Sequence, residues 1–133
     1  ELMRKGFQLI YEGMKDLNIG VNFAAYGAHV VRFGIQHPHI YDLMFGNNEL
    51  DISLYPDLEA LSTASFSRIV EGVRGQLPNQ PERQVLLKAY NVWASTHGLV
   101  NILRHSSRTG TKAETLDWIE SNLEEYLTMT TFS

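Results

Sequence analysis

Histidine is the chemically most versatile side chain in this sequence, and His29, His37 and His39 lie close enough together to suggest a metal site. Their spacing argues against one. His29 and His37 are eight apart on one helical segment, and His39 follows Pro38. No Glu is followed three residues later by His, and H-E-x-x-H is absent. The absence of cysteine removes thiolate ligands, disulfides and a thiol nucleophile. Neither G-x-S-x-G nor G-x-x-x-x-G-K-[ST] occurs. Glu120, Glu124 and Glu125 fall on the solvent side of the last helix, as a solvated face does. The expectation is a chain that is no enzyme and holds no metal or cofactor.

His97 differs from the other histidines. It lies in NVWASTHGLVNIL, residues 91–103, which puts Trp93, His97 and Gly98 within six residues of a helix. These are modest or poor helix formers. At about 100° per residue, Leu86, Tyr90, Trp93, His97 and Val100 form one stripe. Val85, Ala89, Val92, Thr96, Leu99 and Leu103 lie beside it, and the two together face the core. His97 would then be either a core histidine bonded to a carbonyl or hydroxyl, or a polar anchor in an apolar pocket. An ordinary imidazole there would titrate near neutral pH.

The elements that position these groups all have helical period. Helices are expected over residues 2–17, 21–36 and 38–45, from Pro56 to the QLPNQPE turn, from Pro81 to about Ser106, and over 112–129. His37-Pro38 ends the second, because a residue before proline avoids the helical region. Thr111 and Glu114 read as a capping box for the last. Ile52 to Tyr55 has the look of a short strand, but no second strand exists to pair with it. The fold class is therefore all-α, a six-helix bundle forming one domain over residues 1–133.

On the second helix Asn22, His29, Arg32 and Gln36 form one narrow polar stripe. A helix apolar on most of its circumference is surrounded by others, so this one is central. Gly27 and Gly34, and likewise Gly6 and Gly13 on the first helix, are seven apart. They allow either close helix packing or room for a ligand. The long helix also has an outer strip of small residues, Asn91, Ala94, Ser95 and Gly98, together with Ile102. The last helix turns Leu116, Ile119, Leu123, Tyr126 and Leu127 to the core, with Trp118 and Met129 nearly opposite and Thr115 and Asn122 between. Two such faces fit a second copy of the chain, giving a four-helix dimer interface.

A net charge of −4 argues against this chain gripping nucleic acid by itself. Arg104, His105, Arg108 and Lys112 follow the end of a helix, where cations complement exposed carbonyls. No apolar run is long enough to span a bilayer and the N-terminus lacks a signal-peptide pattern, so a cytoplasmic protein is expected.

HPHIYDLMFG at 37–46 resembles the HP-x-x-Y-x-L-M-F signature found after the second helix in the ligand-binding half of many TetR-family transcriptional regulators. W-x-x-x-H-G at Trp93, His97 and Gly98 resembles the Trp-His-Gly motif of one subgroup. The six-helix order agrees, and the likeness covers essentially the whole chain. It implies an all-helical effector-binding domain whose last two helices build a homodimer. Effector binding would shift two attached DNA-binding heads and release a repressor from its operator. The helix-turn-helix module that begins such proteins is not in this sequence, so this chain is expected to be a piece of a longer protein and to bind no operator itself.

A sensor of this kind would have a sizeable cavity for a small apolar or aromatic effector, lined by Phe7, Tyr11, Met14, Tyr26, Gly27, Val30, Phe66, Ile69, Trp93 and His97. Two alternatives remain. A non-catalytic dimerisation module would be filled there, and a small helical haem protein or enzyme would absorb visible light or turn over.

Overall fold

The computed structural model describes residues 1–14, 23–45 and 52–132, with the backbone alone at Met14 and Ile52. The expected continuation of the first helix to Leu17, the start of the second at residue 21 and Asn22 lie outside the described residues. So do residues 46–51 of the long connection.

The described elements are helical throughout: α1 (Leu2–Met14), α2 (Phe23–Gln36), α3 (Pro38–Phe45), a 3-10 turn (Ile52–Leu54), α4 (Pro56–Gln76), α5 (Glu82–His105), α6 (Gly110–Ser121) and α7 (Leu123–Thr130). Where a strand at Ile52 had been conceivable, the chain makes that single tight turn. Proline sets two of the starts. Pro38 is the first residue of α3, with only His37 between it and the end of α2, and Pro56 opens α4, where a missing N–H costs nothing.

α2 is the central helix. It packs against α1, α3, α5 and α7, and buries Phe23, Tyr26, Ala28, Val30, Val31, Phe33 and Gly34. α4 packs on α5 and α1. Leu123, Val31, Val73, Val85 and Val100 are the largest fully enclosed side chains, each worth about 1.5–3 kcal/mol when removed from water. The core stripe of α5 is Val85, Ala89, Leu99, Val100 and Leu103, with Val92 and Thr96 half-buried. The neighbouring line of Leu86, Tyr90 and Trp93 was expected to be core but is exposed at the edge.

The last helical segment is broken. The Asn122 amide bonds Ile119 O at 3.1 Å, and its side-chain nitrogen donates to Trp118 O at 2.8 Å. This local competition with the backbone separates α6 from α7. The expected capping box is not used. Gly110, at φ +59°, starts α6 ahead of Thr111, and the residue before it, Thr109, makes no side-chain cap. Arg108 closes the preceding loop: it donates to Leu103 O at the end of α5 and pairs with Asp117 and Glu120.

Candidate functional site

α3 and α5 bring the two distinctive sequence stretches together. On α3, Tyr41 and Phe45 are four apart and share a face; on α5, Trp93 and His97 do the same. The Tyr41 hydroxyl is hydrogen-bonded to His97 Nδ1. The Phe45 ring lies 4.6 Å from the imidazole and Trp93 stands edge-on to it at 4.8 Å and 84°. Phe7 of α1 meets Phe45 edge-on at 5.8 Å. Arg104 and Asp42 add a two-pronged ion pair between the same helices, at 2.8 and 3.1 Å.

Burial decides the charge state. It lowers the His97 pKa to about 4, so the imidazole is neutral at neutral pH instead of titrating there. Burial raises that of Tyr41 further still above the usual phenol value, so its hydroxyl keeps its proton. Nδ1 accepts from the Tyr41 hydroxyl or donates to it according to the tautomer, and in either case Nε2, as donor or acceptor, has no hydrogen-bond partner among the described residues. One polar group is thus offered from an aromatic wall.

That wall bounds a cavity of about 30 Å³, lined by Ile10, Phe23, Tyr26, Gly27, Val30, Phe45, Ser65, Ile69, Val92, Trp93, Thr96 and His97. Six of the expected lining residues meet here: Tyr26, Gly27, Val30, Ile69, Trp93 and His97. The volume holds a water or two. It is far below the several hundred Å³ of a site occupied by a drug-sized molecule. The expected large cavity is therefore closed in this conformation.

The remaining expected residues lie elsewhere. Phe7 and the exposed Tyr11 line a groove of about 670 Å³ between α1 and α4. Phe66, half-buried and 4.7 Å from the Tyr90 ring, lines a groove of about 510 Å³ on the opposite flank of α4, with Met44, Phe45 and Trp93. The Met14 side chain lies outside the described residues. Ser65 borders the cavity and both grooves, so α4 is the partition between them. Beside it, burial pushes the Tyr26 pKa up to about 12, against the opposing pull of Ser65 and Arg68.

The glycines separate packing from open space. A Cβ on Gly34 would come within 2.7 Å of Val100 Cγ1, and one on Gly6 within 2.7 Å of Ile40 Cγ2. Gly13 is filled by the His29 ring, which also bonds Ile10 O at 3.2 Å. Gly27 borders the cavity, yet its absent side chain points at Leu127, 3.0 Å away on α7. These glycines serve close packing. Gly98 has nothing within 4 Å. Around it Asn91, Ala94, Ser95 and Ile102 are exposed, as are Thr115, Trp118 and Met129, and Asn122 is partly so. Asn91 and Ser95 border the same recess as Tyr126 and Thr130, so the small strip of α5 runs beside α7.

Sequence reasoning missed Tyr41 and Phe45 as partners of His97. Their four-residue spacing was a signal; their contact with a helix more than fifty residues away was not. Among the described residues no three His, Asp or Glu groups converge to hold a metal ion, and no helix is long and apolar enough to cross a membrane. The family model described as "Tetracyclin repressor-like, C-terminal domain" matches residues 23–128. No curated protein and no solved structure matches the chain.

Proposed function

The chain belongs to the tetracyclin repressor-like C-terminal domains, and from that premise we propose that it is the effector-sensing and homodimerising domain of a transcriptional regulator. In this reading the whole of residues 1–133 is one ligand-binding and dimerisation domain, without catalysis, in a cytoplasmic protein. The effector is a small, mainly apolar or aromatic molecule, and its binding releases a repressor from DNA held through a separate helix-turn-helix module.

The observation that carries the reading is the Tyr41–His97 hydrogen bond. It joins both motifs at an aromatic cavity and leaves Nε2 to orient a ligand. An effector enlarging this cavity must displace Trp93, Phe45 or α4. Phe45 belongs to α3, which packs on α1, and there Ile40 and Met44 fill the space left by Gly6. Ligand contact would thus be passed to the helix nearest the N-terminus. A screen of apolar and aromatic compounds by thermal shift tests the sensing role. The expected hits quench Trp93 fluorescence and lose affinity in His97→Phe. The coupling is tested by the distance between spin labels on the two copies of α1; if saturating effector leaves it unchanged, the coupling fails.

The small volume of the cavity favours one other reading, a dimerisation module with a filled core. It predicts that no compound in such a screen raises the melting temperature.

A further inference from the structure

Arg68 is the exception among the partly buried arginines. Arg4 reaches the carboxylate of Asp57, Arg104 that of Asp42, and Arg108 those of Asp117 and Glu120. Arg68, half-buried on α4, pairs with no carboxylate among the described residues, and its Nε is buried with no acceptor. Its guanidinium carbon lies 6.0 Å from the centroid of the Tyr11 ring, a contact that uses the cation's charge but satisfies none of its N–H groups. A buried donor on a charged group is costly to leave unmade, so its persistence calls for a specific explanation.

The surroundings supply one. Arg68 lines the α1/α4 groove, whose volume of about 670 Å³ is in the range of small-molecule sites and whose walls are mainly apolar. Glu12 and Glu71 border the same groove, but both are exposed and neither pairs with Arg68. Water screens them from it. The groove meets the His97 cavity at a shared wall, Ile10 and Ser65.

We propose that this groove binds an amphiphilic monocarboxylic acid, its carboxylate on the Arg68 guanidinium and its apolar body along Phe7, Ile10 and Leu61. The planar guanidinium fork matches a carboxylate, and the single cation among the described residues of this groove offers a partner to one such group. The proposal rests on the sensor reading above and names the chemical class of the effector: the cavity beyond Ile10 and Ser65 takes the end of the apolar body.

The test is calorimetric titration of the full chain with decanoate, 1-decanol and methyl decanoate, each below its aggregation concentration, for wild type and Arg68→Gln. Decanoate is expected to bind wild type at least about tenfold more tightly than either neutral compound, the scale of one charge-assisted hydrogen bond. Arg68→Gln should abolish that preference, bringing decanoate to the affinity of the neutral compounds. Equal affinities in wild type, which need no variant to fold, would overturn the proposal and leave the sensor reading standing. So would a preference that survives in Arg68→Gln. If none of the three binds but neutral 1-naphthol quenches Trp93, the acid proposal fails alone; if no probe binds at all, both fail.

Discussion

Trp93 and Trp118 are the two tryptophans of the chain, and in a single copy they are almost equally exposed, at 39% and 43%. Their settings are opposite. Trp93 leans edge-on against His97, borders the inner cavity and an outer groove, and belongs to a ring cluster contributed by α1, α3 and α5. Trp118 projects from α6 beside Thr115 and Asn122, with its backbone carbonyl tied to the Asn122 side chain. Equal exposure therefore has two causes. One tryptophan is a wall that must move if a ligand enters; the other is an apolar group on a face that this chain does not cover. α5 shows the same division around its circumference, with His97 turned inward and Gly98 open to solvent.

The sharpest way to break this division is to add volume on each side. Gly34→Val pushes into Val100 and Tyr41, whose nearest atoms lie 2.7 and 3.1 Å from the new Cβ. It should cost the upper part of about 1–3 kcal/mol in chemical unfolding, because a packed core resists extra methyls. It should also disturb the His97–Tyr41 bond.

Trp118→Glu acts on the outer face alone. Truncating a central tryptophan of an interface commonly costs about 2 kcal/mol or more. If the proposed dimer forms through this face, it should weaken at least about thirtyfold in sedimentation equilibrium, while helical content and the fold of the single chain persist.

Acidification separates the inner site. The folded His97 pKa is about 4 and the unfolded value about 6.5. Between those values the unfolded chain binds more protons, so stability falls as pH drops from 6.5 towards 4. His97→Gln should flatten that part of the melting-temperature profile. Asp42 and Asp57 titrate lower, their Arg104 and Arg4 partners holding them below the ordinary carboxylate value, so their losses come at more acid pH. An unchanged slope in His97→Gln would remove the buried-imidazole account.

The smallest effect belongs to Gly98→Ala. With nothing within 4 Å, the methyl meets open space in one chain and should stabilise the monomer by up to about 1 kcal/mol through helix propensity. If a second helix approaches there, the same substitution weakens the dimer, and unfolding measured at two protein concentrations separates the effects.

Much of this was legible in the sequence because helical period is local. The positions of α3, α4 and α5 followed from their apolar spacing and from Pro38, Pro56 and Pro81. The break at Asn122 was not legible, since Leu116, Ile119, Leu123, Tyr126 and Leu127 keep one pattern straight across it. Nor was the width of the buried face of α5. It depends on how many neighbours cover it, and Leu86 and Tyr90 reach past their cover. The Tyr41–His97 bond spans 56 residues of sequence, and the direction in which Gly27 lacks a side chain depends on where α7 lies. Such facts arise only when helices pack. Arg68 was silent in the sequence for the same reason: a missing partner is visible only once the neighbours are placed.

The most direct test of the two-sided account is acrylamide quenching of the single-tryptophan proteins Trp118→Phe and Trp93→Phe, which retain Trp93 and Trp118 respectively. In one isolated chain the two side chains are nearly equally open, so an uncovered molecule should give nearly equal quenching constants. The account predicts that Trp118 is strongly protected because a second copy covers it, whereas Trp93 stays accessible until an effector is added. Equal quenching of the two, at concentrations where the protein is fully folded, would contradict it.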